Sequence, residues 1–273
     1  MPRGVRAHKD NVDAIAALAA VAETDDEIEQ RISERFDILE ALTDSCIAGN
    51  SRALIVSGPA GLGKSYTVEK KLEAWDPSGN NYAITKGYVR ATGLVKLLYA
   101  YREAGQVLVF DDADAIFFDD VSLNLLKAVC DTTERRVVSW LSEGRLLEEE
   151  TGELVPRSFV FEGTIVFISN YDFDAMIDRG HKLAPHLQAM VSRAHYLDLA
   201  MKSRRDYLVR IRQVVAQGLL SDLDLDEQVD VLTFIEAYSE NLRELSLRMA
   251  LKIASIRKTN ANWQTVAKVT CCR

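Results

Sequence analysis

Eight residues, Gly58-Pro59-Ala60-Gly61-Leu62-Gly63-Lys64-Ser65, constrain this chain more than any others. They satisfy the pattern G-x-x-x-x-G-K-[ST] and stand between an apolar run, Ala53 to Val56, and a helix-forming stretch, Lys64 to Trp75. A strand, a glycine-rich turn and a helix in that order wrap successive backbone N–H groups around an anion and put a helix N-terminus behind it. Glycine permits the curl, Lys64 meets the charge of β- and γ-phosphates, and Ser65 offers its hydroxyl to Mg²⁺. Gly58 through Ser65, with Tyr66 next in the helix, form the expected nucleotide-contacting set.

A loop of this kind requires an acidic partner at the end of a neighbouring buried strand. Val107-Leu108-Val109-Phe110-Asp111-Asp112 supplies it. Asp111 is expected to hold Mg²⁺, and Asp112 to act as base or to orient the attacking water. ATP and Mg²⁺ are therefore the expected ligands. Further along, Asn170 closes another apolar strand, Thr164 to Ile168, where asparagine is also a common turn residue.

With these residues in place the sequence resembles the AAA+ superfamily, over roughly residues 28 to 258. Asp111-Asp112-Ala113-Asp114 resembles the acidic box of clamp-loader subunits with Asp where Glu is usual, and viral hexameric helicases tolerate such a pair. Helicase loaders, some of them phage-encoded, belong to the same comparison. Ser169-Asn170 is similar to sensor 1, which implies that Asn170 holds the attacking water near the γ-phosphate. Ser192-Arg193 resembles the position of an arginine finger, which implies a residue reaching into a neighbouring subunit's site. Asn241-Leu242-Arg243-Glu244-Leu245 is read as opening a long helix and resembles sensor 2, which implies that Arg243 reaches the nucleotide; Arg248 is the nearby competitor. The resemblance also implies self-association into a ring or partial ring.

Periodicity gives the remaining architecture. An amphipathic helix over 28–47 precedes the loop, and strands are expected at 53–56, 82–85, 107–110, 164–168 and 194–199. Helices are expected at 64–75, at 93–104 with Thr92 as cap, and at 123–131. Arg136 to Trp140 and Phe159 to Phe161 flank an acidic stretch, Glu148 to Leu154, with a Thr-Gly tip that suggests a hairpin. Alternating strands and helices imply an α/β fold, a parallel sheet with helices on both faces. After residue 200 only helical patterns remain, at 203–217, 226–238 and 242–257, which implies a small all-helical lid. The expected organisation is an N-terminal extension at 1–27, an α/β nucleotide-binding core at 28–200 and a lid at 201–273.

Composition narrows the function classes. With 48% hydrophobic and 27% charged residues, the 273-residue chain is built to bury a core. A formal net charge of −8 argues against coating nucleic acid by bulk attraction. The basic cluster Arg193, Arg204, Arg205, Arg210 and Arg212 reads most simply as a solvated helix face. Four cysteines without metal or disulfide spacing fit a reducing compartment, and no apolar run reaches membrane-spanning length. A soluble cytoplasmic protein is expected, in the host cytoplasm if phage-encoded, with no membrane partner. His181, His186 and His195 have no carboxylate or cysteine partner at zinc-ligand spacing.

These features converge on Mg²⁺-dependent ATP hydrolysis coupled to movement of a macromolecule. Nucleic acid is the first expectation for the client, with Tyr88 between Lys86 and Arg90 available to stack on a base while the cations meet phosphate. A protein-remodelling chaperone and an ATP-dependent switch with little turnover are the alternatives.

Overall fold

Five parallel strands set the frame of the molecule, whose computed structural model describes residues 23–142, 144–147 and 152–273. In chain order the core elements are α1 (Asp25–Ile47), β1 (Ala53–Ser57), α2 (Lys64–Trp75), β2 (Tyr82–Lys86), α3 (Ala91–Ala100) and β3 (Val107–Asp111). A 3₁₀ turn (Asp114–Phe118) and α4 (Asp120–Val129) follow, then β4 (Val137–Ser139), β5 (Ser158–Val160), β6 (Thr164–Ser169), α5 (Phe173–Asp178), α6 (Ala184–Val191) and β7 (His195–Asp198). The strands lie in the order β2-β3-β6-β1-β7. β1, β3 and β6 are buried on both faces, which is why each reads as an unbroken apolar run.

Register decides where chemistry can occur. Ser57 pairs with Ser169 and Asp198, and Asp111 pairs with Ile168, so β1, β3, β6 and β7 finish at one edge. The residues immediately after them, Gly58, Asp112 and Asn170, are thereby gathered at the carboxyl end of the sheet, where open α/β folds bind ligands.

Separate apolar clusters fill the two faces. One contains Phe110, Phe161 and Phe167, the rings of Phe110 and Phe167 stacked at 5.7 Å, and joins the sheet to α3, α4 and α6. Truncating either stacked ring to Ala is expected to cost about 3–5 kcal/mol. The other seals α1 and α2 over β1, β3 and β6 through Phe36, Leu39, Val68 and Leu72. Thr24 starts α1 with a capping box, its hydroxyl accepting from the Glu27 N–H while the Glu27 carboxylate accepts from the Thr24 N–H.

A third cluster belongs to the C-terminal helices α7 (Arg204–Ala216), α8 (Leu225–Ala237), α9 (Leu247–Thr259) and α10 (Trp263–Cys271). Together they form the smaller helical region that follows the sheet. Arg31 of α1 pairs with the buried Asp206 at 3.0 Å, and Arg205 and Arg212 both pair with Asp25. Of the expected basic face, Arg204, Arg205 and Arg212 are exposed, and Arg205 and Arg212 are also ion-paired to α1.

Several boundaries differ from the sequence expectation. α3 begins at Ala91 behind Arg90 and ends at Ala100, so Thr92 lies within it rather than capping it. α4 starts earlier, because Asp119 accepts from the Ser122 N–H and acts as its cap. The last long helix, expected from Leu242, begins at Leu247. The hairpin is present as the antiparallel pair β4–β5 with an isolated Leu147–Leu154 bridge beyond it. Its acidic tip, Glu148 to Thr151, lies outside the described residues, as does most of the expected N-terminal extension. No described helix is long and apolar enough to cross a membrane.

Candidate nucleotide-binding site

The loop after β1 takes its shape from residues only glycine suits: Gly58, Gly61 and Gly63 have φ of 148°, 75° and 100°. Curling the backbone this way brings Lys64 back over the loop. Its Nζ donates to the carbonyls of Gly58 at 2.6 Å and Pro59 at 2.9 Å, and to Asn170 Oδ1 at 3.0 Å. Ala60 is exposed at the loop's crown, whereas the Leu62 side chain is buried in the face covered by α1 and α2. Lys64 is only 4% exposed, and burial pushes its pKa down to about 8 against the opposing pull of Asp112 and Asp111.

The acidic strand end closes on the same point. Ser65 Oγ donates to Asp111 Oδ1 at 2.8 Å, so the hydroxyl and the carboxylate expected to share a metal are already adjacent. Asn170 Nδ2 donates to Asp112 Oδ1 at 2.6 Å, which makes Asn170 a bridge between Lys64 and Asp112. Asp112 has φ of 53°, a conformation that Asp tolerates better than most residues but that still costs on the order of 1 kcal/mol. Asp114 lies behind the pair, and burial raises the pKa of its carboxyl.

Hard oxygen donors at this spacing suit Mg²⁺, which keeps several waters and takes only one or two protein ligands. Among the described residues no cluster of three or more His, Cys, Asp or Glu is arranged as a metal cage. His186 instead shares a 2.8 Å hydrogen bond with Lys127, away from any such role.

These residues line a cavity of about 700 Å³ that continues between α1, α2 and the C-terminal helices. Gly61, Gly63, Lys64, Ser65, Tyr66, Asp112 and Asn170 are on its wall. Tyr66 is exposed there, with Lys70 over its ring.

Two expected site residues lie elsewhere. Arg243 does not open a helix: its N–H donates to the Cys271 carbonyl, and the neighbouring Leu242–Cys272 bridge ties that segment to the end of α10. The helix starts at Leu247, capped by Ser246, and this puts Arg248 in the first turn and on the cavity wall. Arg248 therefore replaces Arg243 as the arginine beside the phosphate loop. Arg193 is half-buried and donates to the Ala189 carbonyl at the end of α6, and it is not among the residues lining its own chain's cavity. Lys86 is exposed but ion-paired, 3.5 Å from Asp111 and 3.6 Å from Glu69. Arg210 and Gln213 line the cavity too; in sequence they carried no signal beyond a helix-face pattern of charge.

Sheet, loop, acidic strand end and helical cover define the class: a P-loop NTPase-like α/β fold with a C-terminal helical lid. No family model matches the chain. It is 38% identical over 272 residues to the 36.7 kDa protein of the nrdC–mobD intergenic region of Enterobacteria phage T4, covering 97% of this chain and 82% of that one. The chain belongs to the family of that phage protein. Among solved structures it is similar to a RuvB mutant from Thermotoga maritima, with TM-score 0.50 and 14% identity, covering 91% of this chain and 72% of that one. NtrX from Brucella abortus in complex with ADP gives TM-score 0.45 and 13% identity, over 83% of this chain and 51% of that one. The likeness to RuvB is of fold.

Proposed function

We propose that this chain is a Mg²⁺-dependent ATPase of the AAA+ type that self-associates and couples turnover to movement of a macromolecule, nucleic acid before protein. The observation that carries the reading is the convergence of Lys64, Ser65, Asp111, Asp112 and Asn170 at the ends of three adjacent strands. Bound Mg²⁺ would supply charge neutralisation to the β- and γ-phosphate oxygens.

The chain's own groups account for the rest. Lys64, drawn off the Gly58 and Pro59 carbonyls by a better acceptor, would pair with phosphate oxygens. Asn170, whose amide both accepts and donates, would hold the attacking water between Lys64 and Asp112. Asp112 would take that water's proton. Arg248, in the first turn of α9, would bring lid charge to the phosphates. Tyr88, 74% exposed beside exposed Arg90, supports a client with stackable bases and a charged backbone.

A switch with little turnover has an observation of its own: the Asp112 carboxylate is short and already engaged by Asn170. Turnover measured with and without single-stranded DNA, RNA and unfolded protein separates the readings. Stimulation by nucleic acid supports the proposed client, stimulation by unfolded protein transfers the role to a chaperone, and tight ATP binding with negligible turnover favours the switch. Asp112→Asn keeps the backbone conformation and should retain ATP binding while turnover falls roughly 10²–10⁴-fold. Unchanged turnover in that variant would remove Asp112 from the reaction.

A further inference from the structure

One face of the lid carries apolar side chains that open to solvent. On α8, Leu225, Val229, Leu232 and Glu236 stand at i, i+4, i+7 and i+11, a single stripe of the helix, opposite the buried Val231, Phe234 and Ile235. Leu225 is 78% exposed and Val229 61%, with Leu232 half-buried beside them. Adjoining apolar side chains left in water mark contact surfaces, whereas scattered single ones do not. Asp222, Asp224, Asp226 and Glu227 crowd the start of the same helix. Arg257 answers Glu227 and Lys258 answers Asp222, while Asp226 has no ion pair among the described residues.

The stripe runs to the place where the described chain begins. At its far end Glu236 lies 3.7 Å from Arg212, which pairs with Asp25 at 2.6 Å. Arg205 holds the residue two places earlier, donating to the Glu23 carbonyl at 2.7 Å. Residue 23 is thereby fixed on α7 beside the end of α8, and residues 1–22 lead away from that point. Their sequence is polarised: Arg3, Arg6 and Lys9 come first, Asp10 and Asp13 follow, and Ala14 to Ala22 are nine consecutive apolar residues. Laid back along α8 from residue 23, the apolar run meets Leu232, Val229 and Leu225, and the cations meet the acidic start of the helix. Even at the ~1.5 Å per residue of a helix, Lys9 to Glu23 spans about 21 Å, against about 16 Å from Glu236 back to Leu225.

We infer that residues 1–22 of this chain lie along the exposed stripe of α8, antiparallel to it, as a strap from the core helix α1 to the lid. A second copy's α8 fits the stripe less well. Both ends of the helix are acidic, Asp222 to Glu227 at one and Glu236 and Glu240 at the other, so either direction of pairing sets like charges together. The strap matches apolar to apolar and cation to carboxylate, and its tether at residue 23 fixes the direction. It adds to the α1–α7 ion pairs a tie that reaches the second lid helix, and it does not depend on what the cavity binds.

Limited trypsin digestion of the full chain, read by intact mass, tests this. Cleavage after Lys9 should be at least about tenfold slower than in a free peptide of residues 1–22, because proteolysis of a docked segment follows the population of its open state. Val229→Asp, at an exposed position, should restore most of that rate, whereas Val269→Asp, at an exposed position of α10, should not. Disulfide trapping identifies the occupant. With Cys272→Ser removing the half-buried thiol, Leu18→Cys combined with Val229→Cys or Leu225→Cys should oxidise to an intramolecular bond in the monomer. Leu18→Cys combined with Val269→Cys should not. A disulfide that links two chains would assign the stripe to a second copy's segment and overturn the strap. Cleavage after Lys9 as fast as in the peptide would overturn it too, as would equal trapping at Val229 and Val269. The wild-type digest needs no variant and decides even where a variant fails to fold.

Discussion

The backbone N–H of Leu247 donates to the carbonyl of Gly61 at 2.9 Å, so the lid is hydrogen-bonded directly to the phosphate loop. Ser246 caps α9 at this point by accepting from the Met249 N–H, and it approaches Gly61 so closely that a Cβ on Gly61 would lie 2.7 Å from Ser246 Cβ. The contact is one of the points, with the α1–α7 ion pairs, at which the lid is tied to the core.

Gly61→Ala should therefore fail twice, through a left-handed backbone that costs a non-glycine residue about 1–2 kcal/mol and through collision with Ser246. At roughly 2–4 °C per kcal/mol for a chain of this size, a melting temperature lower by several degrees is expected. Ser246→Gly retains most of the cap's worth, costing only a few tenths of a kcal/mol. In the Gly61→Ala background it should return the steric part of the loss. If the two substitutions prove additive, the contact does not limit the lid.

Lys64 gives the site a dependence on pH with a definite sign. Its pKa in the folded protein is about 8, below the ordinary 10.5. Below pH 8 both folded and unfolded chains hold the proton, and the buried cation costs the fold at most about 3 kcal/mol. Between about 8 and 10.5 the unfolded chain binds more protons, so stability rises with pH, and the cost is gone above 10.5. Lys64→Met should flatten that slope in denaturation curves taken across this range. Phosphate favours the protonated lysine, so ATP affinity should be level below pH 8 and fall by up to about tenfold per unit above it, with proton uptake visible in titrations using buffers of different ionisation heat.

The phosphate loop and acidic strand end were legible in sequence because each is a contiguous motif, and the structure brings the two together. The strands were legible because burial on both faces leaves an unbroken apolar run. What escaped the sequence depends on distant partners. Asn241 and Ser246 are both good N-caps, and nothing local chooses between them. The choice is made by the Leu242–Cys272 bridge and the Arg243 N–H to Cys271 carbonyl bond, which tie this segment to the end of α10 and keep it out of the helix. Helices α5 and α6 are too short for a clear period, although Asp172 and Pro185 mark their starts. α10 carried Trp263, Ala267 and Cys271 at helical spacing, a usable signal that the expected pattern stopped short of. Arg210 looked like its neighbours in a charged helix and differs from them only by burial.

That correction separates two arginines by experiment. Arg248→Ala should lower ATP turnover by about tenfold or more, because charge beside the transferred phosphoryl group is lost. Arg243→Ala should leave turnover within about twofold, since its ordered contacts are made by the backbone. The reverse ranking would mean that the lid rotates α9 far enough during turnover to exchange the two side chains.

Arg193 provides the test of assembly. It lines no part of its own chain's cavity and spends one donor on the Ala189 carbonyl, so a role in hydrolysis requires a second copy. Arg193→Ala should bind ATP nearly as the wild type does yet turn it over poorly, and wild-type specific activity should rise with protein concentration as subunits associate. Mixing variants sharpens the test. Lys64→Ala subunits keep the arginine but lose the phosphate-binding lysine, whereas Arg193→Ala subunits do the opposite. In a mixed assembly some interfaces join an intact loop to an intact arginine, and activity absent from both parents should partly return. Random assembly makes those interfaces a minority, so full recovery is not expected. Absence of any recovery, together with turnover independent of concentration and a monomeric mass in ATP, would leave Arg193 as the residue that closes the end of α6 and nothing more.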